Sequence, residues 1–207
     1  MAAKRAGGGK ARGKAASGSP AGARDRMVDA ALRLAERQGW RRTGMAEIAT
    51  EAGLSLAEAY AACPAKPALL AAFHRRVDRA ALAEGSDAAE PTRDRLFDLL
   101  MRRFDALAPY RAGVRAILRD SFGDPATLLA VPALLCSMGW MLEAAGISAA
   151  GWQGRLRRHV LAGAYLSVFR AFLEDDSADL ARTMAALDRR LRGVGSWLGL
   201  SAAPASD

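Results

Sequence analysis

The stretch from Gly39 to Leu70, GWRRTGMAEIATEAGLSLAEAYAACPAKPALL, constrains this chain more than any other, because it reads as two short helices joined by a tight turn and followed by a longer helix. Gly44 is a tolerable N-cap for the first helix, which carries Met45, Ile48, Ala49 and Ala52 on one apolar face at steps of three and four. Gly53 follows the last of these, where glycine can take the left-handed conformation that a sharp turn needs. Ser55 then caps a second helix, and Glu58 three residues on completes a capping box. Pro64 stops that helix near Cys63, and Lys66 and Pro67 begin a third that runs through Leu69, Leu70, Phe73 and Val77 to about residue 84. This is the order of a helix-turn-helix.

The surrounding residues support that reading. Met27, Val28, Ala31, Leu34 and Ala35 form the apolar stripe of a helix from Ala23 to Gln38 that backs the motif, and Gly39 ends it. Trp40 anchors the next turn, where Arg41, Arg42 and Thr43 are candidate contacts to a DNA backbone. Arginines in a loop also serve simply as exposed charge. The positions from which the second helix would read bases are Leu56, Ala57, Glu58, Ala61 and Ala62, with Ser55 at its head. None is among the side chains that usually read base edges, namely Arg, Lys, Asn or Gln, and Glu58 would repel phosphates unless it accepted from a cytosine.

Ile48-Ala49, Ala52-Gly53-Leu54-Ser55, Tyr60, Lys66 and Leu69-Leu70, preceded by Ala30-Ala31 and Leu34, resemble the DNA-binding domain of the TetR family of bacterial transcriptional regulators. The resemblance implies that Tyr60 and Lys66 touch DNA phosphates and that the exposed face of the second helix enters the major groove of an operator. It also implies a dimer. Cys63, Gly44 and Pro67 depart from the family's usual aromatic, threonine and acidic residue at these positions.

Charge adds less than the high pI suggests. Lys4, Arg5, Lys10, Arg12, Lys14, Arg24 and Arg26 stand against Asp25 alone, so most of the formal net charge of +8 sits near the N-terminus. Residues 1–22, rich in Ala, Gly, Lys and Arg, are expected to form a disordered basic arm that either tracks phosphates or merely solubilises. Two cysteines provide no disulfide framework, and no apolar run is long enough to cross a bilayer, so a cytoplasmic protein is expected. No Gly-x-Ser-x-Gly or Gly-Lys-Ser/Thr motif is present, and His74 and His159 lack metal-ligand spacing. Neither catalysis nor a cofactor is expected. His74, beside Arg75 and Arg76, reads as a surface residue.

Residues 91–200 read as a helical ligand-binding and dimerisation domain following the helix-turn-helix domain of residues 23–70. Pro91-Thr92 starts a helix carrying Leu96, Phe97, Leu100, Phe104 and Leu107, and Pro109 starts the next, with Val114, Ile117, Leu118 and Phe122 facing inward. The segment from Ala126 to Ala145 is the most apolar, with Leu128, Leu129, Met138, Trp140 and Met141. It reads as a fully buried helix, serving either as the centre of the core or as the lining of an apolar pocket. Candidate pocket residues are Phe104, Leu135, Met138, Trp140, Met141, Tyr165 and Phe169. Two long helices follow, at about 149–174 and 178–198, as an antiparallel pair capped by Asp176 or Ser177. Leu156 and Val160 on the first, and the heptad seam Leu180, Met184, Leu187, Leu191 and Val194 on the second, are candidates for a homodimer interface or for packing within the subunit. The whole is an all-α architecture of about nine helices, TetR-like by resemblance.

A second resemblance covers the C-terminal half. Asp94-Arg95-Leu96-Phe97, the run Met101-Arg102-Arg103-Phe104 through Tyr110-Arg111, Phe169 to Ser177 and Leu187 to Leu191 are similar to a TetR-fold family of ubiquinone-biosynthesis accessory proteins that bind lipid. The Trp-Tyr-Thr-Lys-Arg run associated with that family is absent around Trp152 to Arg158. Two functions are therefore expected in competition. One is a dimeric regulator, a repressor released from double-stranded DNA by a small apolar effector. The other is a lipid- or quinone-precursor-binding accessory protein without an operator.

Overall fold

The computed structural model describes residues 19–121 and 131–200, and within them the chain is built from helices with no strand. Helix α1 (Pro20–Gln38) is followed by α2 (Met45–Glu51), α3 (Leu56–Ala62) and α4 (Lys66–Leu82). The body comprises α5 (Thr92–Leu107), a 3-10 turn (Ala108–Tyr110), α6 (Arg111–Ser121), α7 (Val131–Ala144), α8 (Gly151–Glu174) and α9 (Ala181–Leu198). No helix of the described residues is long and apolar enough to cross a membrane.

The basic arm lies outside the described residues up to position 18, and its last part is not an arm at all. Ser19 Oγ accepts from the Gly22 amide at 3.2 Å, and Pro20 occupies the first helical position, so Pro20 to Gly22 open α1. Helices α2 and α3 start where the capping pattern placed them. Glu47 accepts from the Gly44 amide at 2.8 Å, and Glu58 accepts from the Ser55 amide at 2.9 Å. Gly53 takes φ +65° in the turn between them, the left-handed region that favours glycine.

Helix α4 joins the two parts of the molecule, packing on α1 at one end and on α5 and α7 at the other. Helix α7 is described from Val131, with Pro132 as its second described residue. Leu128, Leu129 and Phe122 lie outside the described residues. The expectation of burial on all sides of α7 fails: Met138, Met141 and Leu142 are buried, but Trp140 is 60% exposed.

Helices α8 and α9 form the expected antiparallel hairpin, although α9 begins three residues later than its pattern suggested. Its cap is built chiefly by Asp175. This buried carboxylate accepts from the Thr183 amide at 2.7 Å and from Thr183 Oγ1 at 2.8 Å. Ser177 Oγ accepts from the Ala181 amide at 3.0 Å, while Asp176 stands in solvent. Burial would raise the Asp175 pKa, but the hydrogen bonds from Ser177 and Thr183 outweigh it and hold the carboxyl at about 2.

Candidate DNA-reading surface and ligand cavity

The outer face of α3 is apolar. Leu56 is 65% exposed and Tyr60 72% exposed, with Ala57 and Ala61 also exposed beside them. Both capping oxygens of this helix are occupied: Ser55 Oγ accepts from the Glu58 amide at 3.3 Å and donates to Glu58 Oε2 at 2.7 Å. Those bonds from Ser55 lower the Glu58 pKa, keeping its carboxylate ionised and turned back on the helix start. Glu58 is thus an element of the cap.

Three other expected DNA contacts are also engaged within the fold. Thr43 is 1% exposed and donates its hydroxyl proton to the Gly39 carbonyl at 2.8 Å, so its side chain faces inward. Lys66 Nζ donates to the Trp40 carbonyl at 2.7 Å and lies 4.6 Å from the centre of the Trp40 ring, fastening the start of α4 to the turn before α2. Arg41 reaches across to α6, donating its amide to Asp120 Oδ2 at 3.2 Å and its Nε to the Asp120 carbonyl at 2.8 Å. Arg42 stays exposed.

In the body, a cavity of about 200 Å³ lies between α4, α5, α6, α7 and α8. Leu70, Phe73, Val77, Leu107, Val114, Ile117, Leu118, Leu134, Leu166 and Phe169 provide most of its wall. Of the expected pocket residues, Tyr165 and Phe169 line it, and Phe104 backs it by stacking on the Tyr165 ring at 4.6 Å. Leu135, Met138 and Met141 do not line it; both methionines are packed into the core. Trp140 borders a different, surface groove of about 420 Å³ with Arg24, Arg75 and Arg79.

Apart from Tyr165, the polar residues gathered at this cavity were not expected. Arg103, 1% exposed, donates through Nε to Asp78 Oδ1 at 2.9 Å and through Nη1 to the Tyr165 hydroxyl. Its Nη2 donates to His74 Nδ1 at 2.8 Å, and Ser137 Oγ donates to Asp78 Oδ2 at 2.5 Å. Burial and the neighbouring Arg103 charge depress the His74 pKa to about 3, so the imidazole is neutral. Burial also pushes the Tyr165 phenol up to about 12. The sequence signal that could have found this cluster is the i, i+4 spacing of His74 and Asp78, on the helix that also carries Leu70, Phe73 and Val77.

The candidate dimer residues divide. Leu180, Leu187 and Leu191 are buried within the subunit, where α9 packs on α8 and α5, and Val160 and Val194 are partly buried. Leu156 and Met184, each 41% exposed, remain on the surface, with the unpredicted Trp152 at 73% and Trp197 at 64%.

Two family models match separate parts of the chain. Residues 27–73 match the family model described as bacterial regulatory proteins, tetR family, and residues 130–197 match the COQ9 family model. The chain is similar to a TetR transcriptional regulator from Nitrosomonas europaea ATCC 19718, at 26% identity and TM-score 0.66, covering 84% of this chain and 98% of that one. A TetR regulator from Rhodococcus sp. RHA1 aligns at 22% identity and TM-score 0.58, over 82% of this chain and 96% of that one. Thermus thermophilus FadR, a TetR family repressor solved in complex with lauroyl-CoA, aligns at 21% identity and TM-score 0.52, over 89% and 99% respectively. No curated protein sequence matches the chain. The fold is TetR-like, and both resemblances read from the sequence are found by the family models.

Proposed function

We propose that this chain is a dimeric, cytoplasmic transcriptional repressor whose affinity for operator DNA falls when a small apolar effector fills the cavity of the body. The observation that carries this reading is the position of α6. Ile117, Leu118 and Ser121 border the cavity, while Asp120, on the same helical turn, holds Arg41 of the reading head. An effector that shifts the end of α6 therefore displaces the turn that orients α2 and α3. It works only to the extent that it binds the two arrangements unequally. Leu56, Ala57 and Tyr60 face the major groove in this reading, with Arg42 toward a phosphate. The exposed apolar side chains of α8 and α9, Trp152, Leu156, Met184 and Trp197, are the surface that a second copy would cover.

The test is binding of the purified full chain to its own upstream DNA, with excess non-specific DNA over a salt series. A complex that survives competition and depends on sequence supports the regulator. Salt-sensitive binding that competitor abolishes counts against it, because a basic arm alone would give that.

A second reading is favoured by one observation, the match of residues 130–197 to the COQ9 family. In that reading the helix-turn-helix is inherited architecture and the body carries a lipid. Lipid co-purifying with a chain that binds no specific DNA would favour it.

A further inference from the structure

The effector cavity is not uniformly greasy, and its polar end has a defined hydrogen-bonding polarity. A guanidinium can only donate, so the 2.8 Å contact between Arg103 Nη2 and His74 Nδ1 makes Nδ1 the acceptor. The single imidazole proton then resides on Nε2. His74 cannot relieve this by taking up a second proton, because that would place a cation beside the buried Arg103 guanidinium. Arg103 is itself offset by Asp78, whose second oxygen is occupied by Ser137. The cluster is therefore neutral overall, and His74 carries a neutral N–H at the edge of a cavity whose described lining is mostly apolar, with Ser121 the other small polar side chain.

We infer that this cavity takes an uncharged, largely apolar molecule bearing one carbonyl-type acceptor, and that the His74 Nε2–H donates to that acceptor. A hydrocarbon would leave the donor without a partner. Among the described lining residues the one cation, Arg103, is already paired with Asp78, so a carboxylate would forfeit its hydration without a counter-charge. The aromatic side chains Phe73, Tyr165 and Phe169 on the wall suit a ligand with a flat ring.

This inference rests on the cavity being a ligand site, as proposed above, but its test contains no DNA. The full chain is titrated calorimetrically with benzylacetone, butylbenzene and phenylbutyrate, which share a phenyl ring and a short chain and differ at the polar end. The ketone is expected to bind about tenfold more tightly than the other two, the worth of one hydrogen bond. His74→Leu should remove that preference, with butylbenzene binding at least as tightly as the ketone, and His74→Gln, which keeps an N–H donor, should restore part of it. The comparison of the three probes on the unmodified chain stands even if His74→Leu does not fold. Equal affinity for ketone and hydrocarbon, tightest binding of phenylbutyrate, or no binding of any probe overturns the inference. Loss of specific DNA binding with the ketone preference intact would overturn the regulator reading alone.

Discussion

A Cβ on Gly113 of α6 would stand 2.8 Å from the carbonyl oxygen of Leu32 on α1 and 3.2 Å from the Leu32 Cβ. The two helices touch backbone to backbone at this point, and only glycine permits it. Together with Asp120 and Arg41 nearer the other end of α6, the contact fixes the reading head to the body at two places rather than through the α4 connection alone.

Gly113→Ala is therefore expected to destabilise. Alanine is the better helix former by about 1 kcal/mol, but a methyl forced against backbone costs about 1–3 kcal/mol when the neighbour cannot move aside. A net loss on urea denaturation is expected, together with altered DNA affinity. Gly163→Ala on α8 is the control. A Cβ there meets nothing within 4 Å, so the propensity gain of up to about 1 kcal/mol should appear undiminished.

Glu58→Ala should act on stability and not on recognition. Its carboxylate accepts from both the amide and the hydroxyl of Ser55, and removing it takes away that half of the capping box, so a modest loss of stability on urea denaturation is expected. Selection from random DNA should return the same preferred sequence for Glu58→Ala as for the unmodified chain. Leu56→Ala, at an exposed position with no capping duty, should change it. The reverse pattern would place Glu58 among the base readers.

What the sequence disclosed, and what it hid, follows from the range of the interactions. The capping box at Ser55, the N-cap at Gly44, the Gly53 turn and the apolar stripes of α1, α4 and α5 are local patterns, and they were readable. The site chemistry was not, because it depends on partners far apart in the chain. His74 looked like a surface histidine until Arg103, 29 positions away, was brought against it. Nothing local in the sequence showed that the Lys66 ammonium also donates to the Trp40 carbonyl, 26 positions away, at 2.7 Å. The heptad seam of α9 was visible, but periodicity alone could not say that Leu180, Leu187 and Leu191 are buried within the same subunit.

Asp175→Ala should loosen the α8–α9 hairpin. It strands the amide and hydroxyl of Thr183, which is fully buried, and an unsatisfied buried donor costs about 1–3 kcal/mol. The same carboxylate confers acid sensitivity. Its folded pKa, about 2, lies below the ordinary 3.8, so its contribution is complete above the ordinary value and is lost as pH falls through 2. Urea denaturation of the unmodified chain and Asp175→Ala should give stabilities that converge across that interval.

His74 governs a higher window. Its folded pKa of about 3 lies below the ordinary 6.5, so between these values the unfolded chain binds the proton and the folded one does not. Stability is thus complete above pH 6.5 and declines as the medium is acidified toward 3, by up to about 1.4 kcal/mol per pH unit from this group. His74→Gln keeps a hydrogen-bonding side chain but cannot titrate. Urea denaturation from pH 7.5 to about pH 4, above the interval in which Asp175 responds, should show a shallower decline for this variant than for the unmodified chain. Parallel curves over that range would mean that His74 is solvated in the folded protein, and the polar end of the cavity would lose its fixed donor.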